Sequence, residues 1–218
     1  MIDQPDIPWH LEIDEDGFAE VPIGLHATVE TSLQRDTAPN PGAYRLPSGF
    51  RLVQPEPVDL DAFKALFSDI GEPWLWFGRL LETDEDMQSI LTDQNTTLRY
   101  LIDSFADPVG LFEAQQQGDD TLEVTYFGLR SNVMGKGLGG PFMEHGLAAA
   151  WHSGIKRIWL HTCTFDSPYA LAFYRRQGFR PFKQRIEVAT DPRLTGLLPR
   201  TAAPHIPLAD FSDPEAST

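Results

Sequence analysis

Apolar residues in this chain follow two rhythms. Short β-branched and aromatic runs at 50–53, Thr96–Ile102, 109–115 and 122–129 predict strands. Three- and four-residue steps predict helices at 58–67, with Asp59 as N-cap, and at 83–91, where Thr83 and Asp86 open a capping box. A third helix spans 138–152, with Leu138, Phe142, Met143, Leu147, Ala150 and Trp151 on one face and Gly154 as its stop. A strand at 157–161 follows, then a helix entered at Asp166-Ser167-Pro168 and ended by Gly178. Residues 179–182 and 185–189 are expected as the last two strands. The polar connections at 103–108 and 116–120 are short enough to make the middle strands an antiparallel meander. This order predicts an α/β chain whose main domain covers 49–190. Residues 1–48 form an extension in which Val21, Ile23, Leu25, Ala27 and Val29 alternate as a strand, free to cover a sheet edge or touch another subunit. Residues 191–218, rich in proline, form an irregular arm.

One junction carries chemistry. Gly135, Gly137, Gly139 and Gly140 lie between the strand at 122–129 and the helix at 138–152. Dense glycines leave main-chain N–H groups uncovered, and a helix N-terminus adds its positive dipole end, so the junction suits phosphate. The P-loop pattern is absent, because Lys136 is followed by Gly137 rather than Ser or Thr, which argues against a P-loop. The string Gly-Lys-Gly-Leu-Gly-Gly does fit the dinucleotide fingerprint. A dinucleotide site also expects an acid at the end of the next strand, and here stand His161, Thr162 and Cys163, with Asp166 beyond. A run of hairpins feeding the glycines is likewise foreign to a Rossmann unit.

Met134-Gly135-Lys136-Gly137-Leu138-Gly139 resembles the acyl-CoA segment of the GNAT N-acetyltransferase superfamily, [Q/R]-x-x-G-x-[G/A], with Met134 departing from its first position. Tyr174-Arg175-Arg176-Gln177-Gly178-Phe179 resembles that family's second block. The resemblance spans roughly residues 49–188. It implies a central, mostly antiparallel, partly splayed mixed sheet flanked by helices, with acetyl-CoA as co-substrate and a primary amine of a small molecule or peptide as acceptor. It also implies that Phe127, Gly128 and Leu129 bind the pantetheine arm through their main chain, with Leu129 N–H facing the oxyanion. Met134 through Gly140 would hold the pyrophosphate, helped by Arg175 or Arg176, and Ser167 would stand where relatives carry Asn. Tyr174 would serve the leaving thiolate. Glu123, eleven residues before Met134, matches the catalytic glutamate of histone-type members. Trp74, Trp76 and Phe77 fall in the connection that lines the acceptor pocket in this family. Dimers are common among its members, so a homodimer is one assembly open to this chain. The departures at Met134 and Ser167 keep a non-catalytic CoA-binding module as the alternative, with a dinucleotide-dependent oxidoreductase behind it.

Charge sharpens the partner class. With 32 acids against 17 Lys plus Arg, the formal charge of −15 opposes nucleic acid and anionic membrane and favours cationic ligands. No apolar run reaches a membrane span, the acidic N-terminus is unlike a secretory signal, and Cys163 has no partner. A cytoplasmic protein without a metal centre is the expectation.

Overall fold

The computed structural model describes residues 12–210. Its single sheet contains β1 (Leu25–Arg35), β2 (Arg51–Val53), β3 (Thr96–Ile102), β4 (Pro108–Gln117), β5 (Thr121–Leu129), β6 (Arg157–Cys163) and β7 (Arg180–Thr190). The strands lie in the order β2-β3-β4-β5-β6-β1-β7. Only β5 and β6 run parallel; every other neighbouring pair is antiparallel. Four helices flank it: α1 (Leu60–Gly71), α2 (Asp84–Thr92), α3 (Gly139–Ala150) and α4 (Ala170–Arg176).

Local chemistry fixes the helix starts. The Asp59 carboxylate accepts from Ala62 N at 3.0 Å, and Thr83 Oγ1 accepts from Asp86 N at 3.1 Å. Packing then places them. Phe63, Leu66, Phe67 and Ile70 of α1 bury against Leu98, Tyr100 and Leu111 on one face of the sheet. Phe142, Met143 and Leu147 of α3 bury against Leu101, Phe112 and Leu160 on the other. At about 1.5–3 kcal/mol for each large apolar side chain, this burial outweighs the capping terms.

Two expectations are corrected at the ends of the chain. Residues 179–189 do not form two strands. Lys183 and Gln184 offer no turn chemistry, and β7 continues through them. The strand expected at 21–29 starts at Leu25 and runs to Arg35, so it is not an appendage outside residue 49. It is an interior strand, paired with β6 on one side and β7 on the other. Its last residue, Arg35, is buried and ion-paired to Glu144 of α3, and it donates to the carbonyls of Thr37, Ala38 and Gln177. That hub ties β1 to α3 and to the end of α4.

Candidate active site

A bulge in β5 shapes the site. Glu113 pairs with Tyr126 but Ala114 pairs with Val124, leaving Thr125 as the extra residue. Leu122 and Val124 therefore share the α3 face with Phe127 and Leu129, while Tyr126 lies against the α1 core. Glu113, fully buried, holds the bulge: its carboxylate accepts from Thr125 Oγ1 at 2.9 Å and is ion-paired to Arg79. Beyond Val124 and Leu160 the pairing between β5 and β6 stops, and the two parallel strands part. Two spaces border that opening.

On one side of the opening lies a cleft of about 480 Å³. Phe127, Gly128 and Leu129 form its β5 wall, and the glycine loop forms its end. Gly135 and Gly137 both take φ of +76°, with nothing within 4 Å of where a Cβ would stand. Those conformations turn the loop so that it faces open space, and only glycine takes them without strain. No side chain caps α3, so the amides of Gly139 and Gly140 open its N-terminus toward the cleft. Arg176 also lines this cleft, whereas Arg175 and Lys136 do not.

On the other side lies a smaller cavity of about 200 Å³. Its walls are the loop carrying Trp74, Trp76 and Phe77, and residues His26, Thr28 and Glu187 from β1 and β7. His161, Cys163 and Phe165 follow the diverging β6. Burial of the Cys163 thiol and the nearby Asp166 charge push its pKa up, which makes it a poor nucleophile. Burial pulls the His26 imidazole down, aided by Arg193 and opposed by Asp191, so it is neutral at pH 7. Phe77 and Phe165 meet its ring edge-on, with centroids at 6.0 and 5.1 Å.

The cleft and the cavity share Trp74, Trp76, Phe127, Asp166 and Tyr174. Asp166 does not cap α4, as its sequence position suggested. Its carboxylate turns back to accept from Thr162 Oγ1 at 2.7 Å, Cys163 N at 2.9 Å and Trp76 Nε1 at 3.1 Å. The helix instead begins at Ala170, after a turn in which Ala170 N donates to Ser167 O. Asp166 is thus a strut that fixes the indole of Trp76 at the parting of the strands. Tyr174 stands beside it, its ring edge-on to Phe173 and Phe179, and its hydroxyl makes no hydrogen bond within the described residues. Burial, then the Asp166 charge, push that phenol's pKa up, so it keeps its proton.

Of the residues singled out by sequence, Phe127, Gly128, Leu129, Met134, Gly135, Gly137, Leu138, Gly139, Gly140 and Ser167 line the cleft. Tyr174, Trp74 and Trp76 line both spaces, and Phe77 lines the cavity only. Glu123 lines neither. It lies where β5 and β6 are still paired, accepting from Gln117 Nε2 at 2.9 Å. Burial raises its pKa, while the neighbouring His161 charge and the Gln117 hydrogen bond oppose the rise. Sequence reasoning missed His26, Thr28 and Glu187 as wall residues, because they come from segments read as an extension and a plain strand.

The splayed sheet thus has a glycine-bounded cleft on one side and a small aromatic cavity on the other. Residues 63–179 match the family model described as the acetyltransferase (GNAT) family, and the chain belongs to that family. A solved GCN5-related N-acetyltransferase from Sphaerobacter thermophilus superposes with a TM-score of 0.55 at 18% identity, over 77% of this chain and 51% of that one. One from Kribbella flavida gives 0.51 at 18%, over 79% and 63%. A related protein from Streptococcus suis gives 0.53 at 13%, over 76% and 62%. At these identities the likeness is one of fold, and the chain spans about half to two thirds of those proteins' lengths. No curated protein matches the chain at a significant level. Among the described residues, no helix is long and apolar enough to cross a membrane, and no three His, Cys, Asp or Glu side chains gather to hold a metal.

Proposed function

We propose that the chain is an acetyl-CoA-dependent N-acetyltransferase that passes acetyl directly to a primary amine. The observation that carries the reading is the meeting of cleft and cavity at Tyr174, whose hydroxyl has no hydrogen-bond partner among the described residues. The cleft fits an acyl-CoA: uncovered amides at Gly139 and Gly140 with Arg176 suit its phosphates, and the unpaired edge of β5 suits its pantetheine amides. Acetyl-CoA supplies the acetyl group activated as a thioester.

The remaining tasks fall to side chains. An alkylamine with pKa near 10.4 is about 3.4 units from neutral at pH 7, a deficit of roughly 4–5 kcal/mol, so a proton acceptor is needed. We assign it to His161, which lines the cavity, backed by Glu123 and Glu30, whose carboxylates interact with its charge. Tyr174 serves the leaving sulfur. Its raised pKa makes it a weaker acid than a thiol near 8.5, so it donates a hydrogen bond to the thiolate and retains its proton.

Steady-state kinetics with calorimetric binding tests both assignments. Tyr174→Phe should bind acetyl-CoA as the parent does and turn over roughly 10²-fold more slowly. His161→Gln should lose about as much at pH 7 and recover as pH rises toward the amine's own pKa. Full activity in Tyr174→Phe removes that residue from the mechanism. Tight CoA binding with no acetyl transfer to any amine favours the alternative motivated by Met134 and Ser167, a CoA-binding module.

A further inference from the structure

The acceptor cavity has a one-sided chemistry. Its lining includes the rings of Trp74, Trp76, Phe77, Tyr126 and Phe165, and among its described residues there is no Lys or Arg. Two carboxylates line it. Both oxygens of Asp166 are engaged by Trp76, Thr162 and Cys163 N. Glu187 is different: it is exposed at the rim, and its side chain has no hydrogen bond or ion pair among the described residues. The nearest strand cation, Arg185, is already committed to Glu30 at 2.7 Å. Glu187 also pairs across β7–β1 with Thr28, another cavity residue, which fixes it beside the opening.

Such a lining favours a cation in two ways. Aromatic faces attract an ammonium group, and a rim carboxylate that makes no ion pair among the described residues, its charge felt by Arg185 only at longer range, steers it inward. The same lining disfavours a carboxylate, which would find no Lys or Arg and would face Glu187. Size adds a bound. A volume of about 200 Å³ lies below the roughly 300–1,000 Å³ usual for ligand pockets, which favours a small acceptor.

Resting on the N-acetyltransferase reading of this site, we propose that the acceptor is a small arylalkylamine without a carboxylate, and that Glu187 is the residue that selects for its positive charge. The contribution comes from β7 and β1, which lie outside the segment matching the family model.

The test compares four acceptors with the full chain and acetyl-CoA, following thiol release: phenethylamine, phenylalanine, spermidine and a lysine-containing peptide. Phenethylamine should exceed phenylalanine by about 100-fold in kcat/KM, because the two differ only in the carboxylate. Glu187→Gln should raise the KM for phenethylamine about tenfold and leave the loss out of kcat. Glu187→Lys should narrow the phenethylamine-to-phenylalanine ratio at least about tenfold. Equal use of phenylalanine, or preference for spermidine or the peptide, overturns the proposal. If no amine is acetylated, phenethylamine binding in the presence of CoA is measured by calorimetry. Binding that Glu187→Gln weakens upholds the ligand class and refutes acetyl transfer. Absence of binding overturns the ligand class itself.

Discussion

Gly128 and Gly135 are both required, for unlike reasons. A Cβ on Gly128 would strike Ile70 and lie 3.0 Å from Trp76 Cη2, on the strand where the cleft and α1 meet. Gly135 has free space around it but a φ of +76°. Gly128→Ala is thus an overpacking change, expected to cost about 1–3 kcal/mol and to push Trp76 off Asp166. Gly135→Ala is a backbone change of roughly 1–2 kcal/mol, confined to the loop. Chemical denaturation should register Gly128→Ala clearly and Gly135→Ala weakly. CoA affinity should fall in both. Equal unfolding midpoints for the two variants would contradict this division. The glycine loop was legible in sequence because glycine spacing encodes backbone shape. The role of Gly128 was not, because it depends on an indole that arrives from 52 residues earlier in the chain.

Among the elements, β1 shows where reading by pattern fails. Apolar alternation through Ala27 and Val29 predicts a strand, and in an amphipathic strand the apolar positions normally face the core. The strand does the reverse: Ala27 and Val29 are exposed, while Thr28, Glu30 and Ser32 are buried. The inversion has a cause. That face borders the smaller cavity, where Thr28 is a wall residue and Glu30 is held by Arg185 and Ser32. Local rules are broken where the site needs polar groups. By contrast β3, β4 and α1 serve mainly packing, and β5 and α3 keep a regular apolar face beside the cleft they border, so periodicity located them directly. In the terminal arm, residues 191–210 are described, and their contacts leave no periodic pattern in the sequence. Leu198, Ala202, Ala203 and Ile206 bury Leu75, and Leu75 itself adopts φ of +54° in the loop that carries Trp74 and Trp76. Arg193 organises the arm, pairing with Asp191 at 2.7 Å and donating to the carbonyls of Ala202, Ile206 and Pro207. Arg193→Met leaves the Asp191 carboxylate buried and unpaired, a loss of about 3–5 kcal/mol. Limited proteolysis should then cut within 191–210, and the KM for the amine should rise more than that for acetyl-CoA. An arm as resistant as the parent's would show that the hub is dispensable.

For the whole molecule, stability against pH follows from which groups the fold keeps neutral and which it keeps charged. Glu30 and Asp191 are buried, which alone would raise them. Hydrogen bonds from Arg185 to Glu30 and from Arg193 to Asp191 reverse the effect and leave both below their usual range. Their contribution is present above the ordinary carboxylate pKa and fades as pH falls through the lowered folded values. The phenols behave oppositely. Burial pushes Tyr100 and Tyr126 up to about 12, and Tyr174 is raised as well. Below pH 10 both folded and unfolded chains hold these protons, and stability is unaffected. Above it the unfolded chain releases them first and so binds fewer protons than the native one. Stability therefore falls as pH rises from about 10 through the folded values. The net charge of −15, already repulsive, grows with each phenolate and adds to the loss. Tyr100 offers the cleanest check, because its hydroxyl is buried without a hydrogen-bond partner among the described residues and it lies outside both cavities. Tyr100→Phe removes that orphaned group, so it should stabilise the protein by about 1 kcal/mol at pH 8. It should also flatten the alkaline limb of an unfolding series between pH 9 and 11. A variant less stable than the parent at pH 8, with an unchanged alkaline slope, would mean that the Tyr100 hydroxyl is satisfied and its proton is not linked to folding.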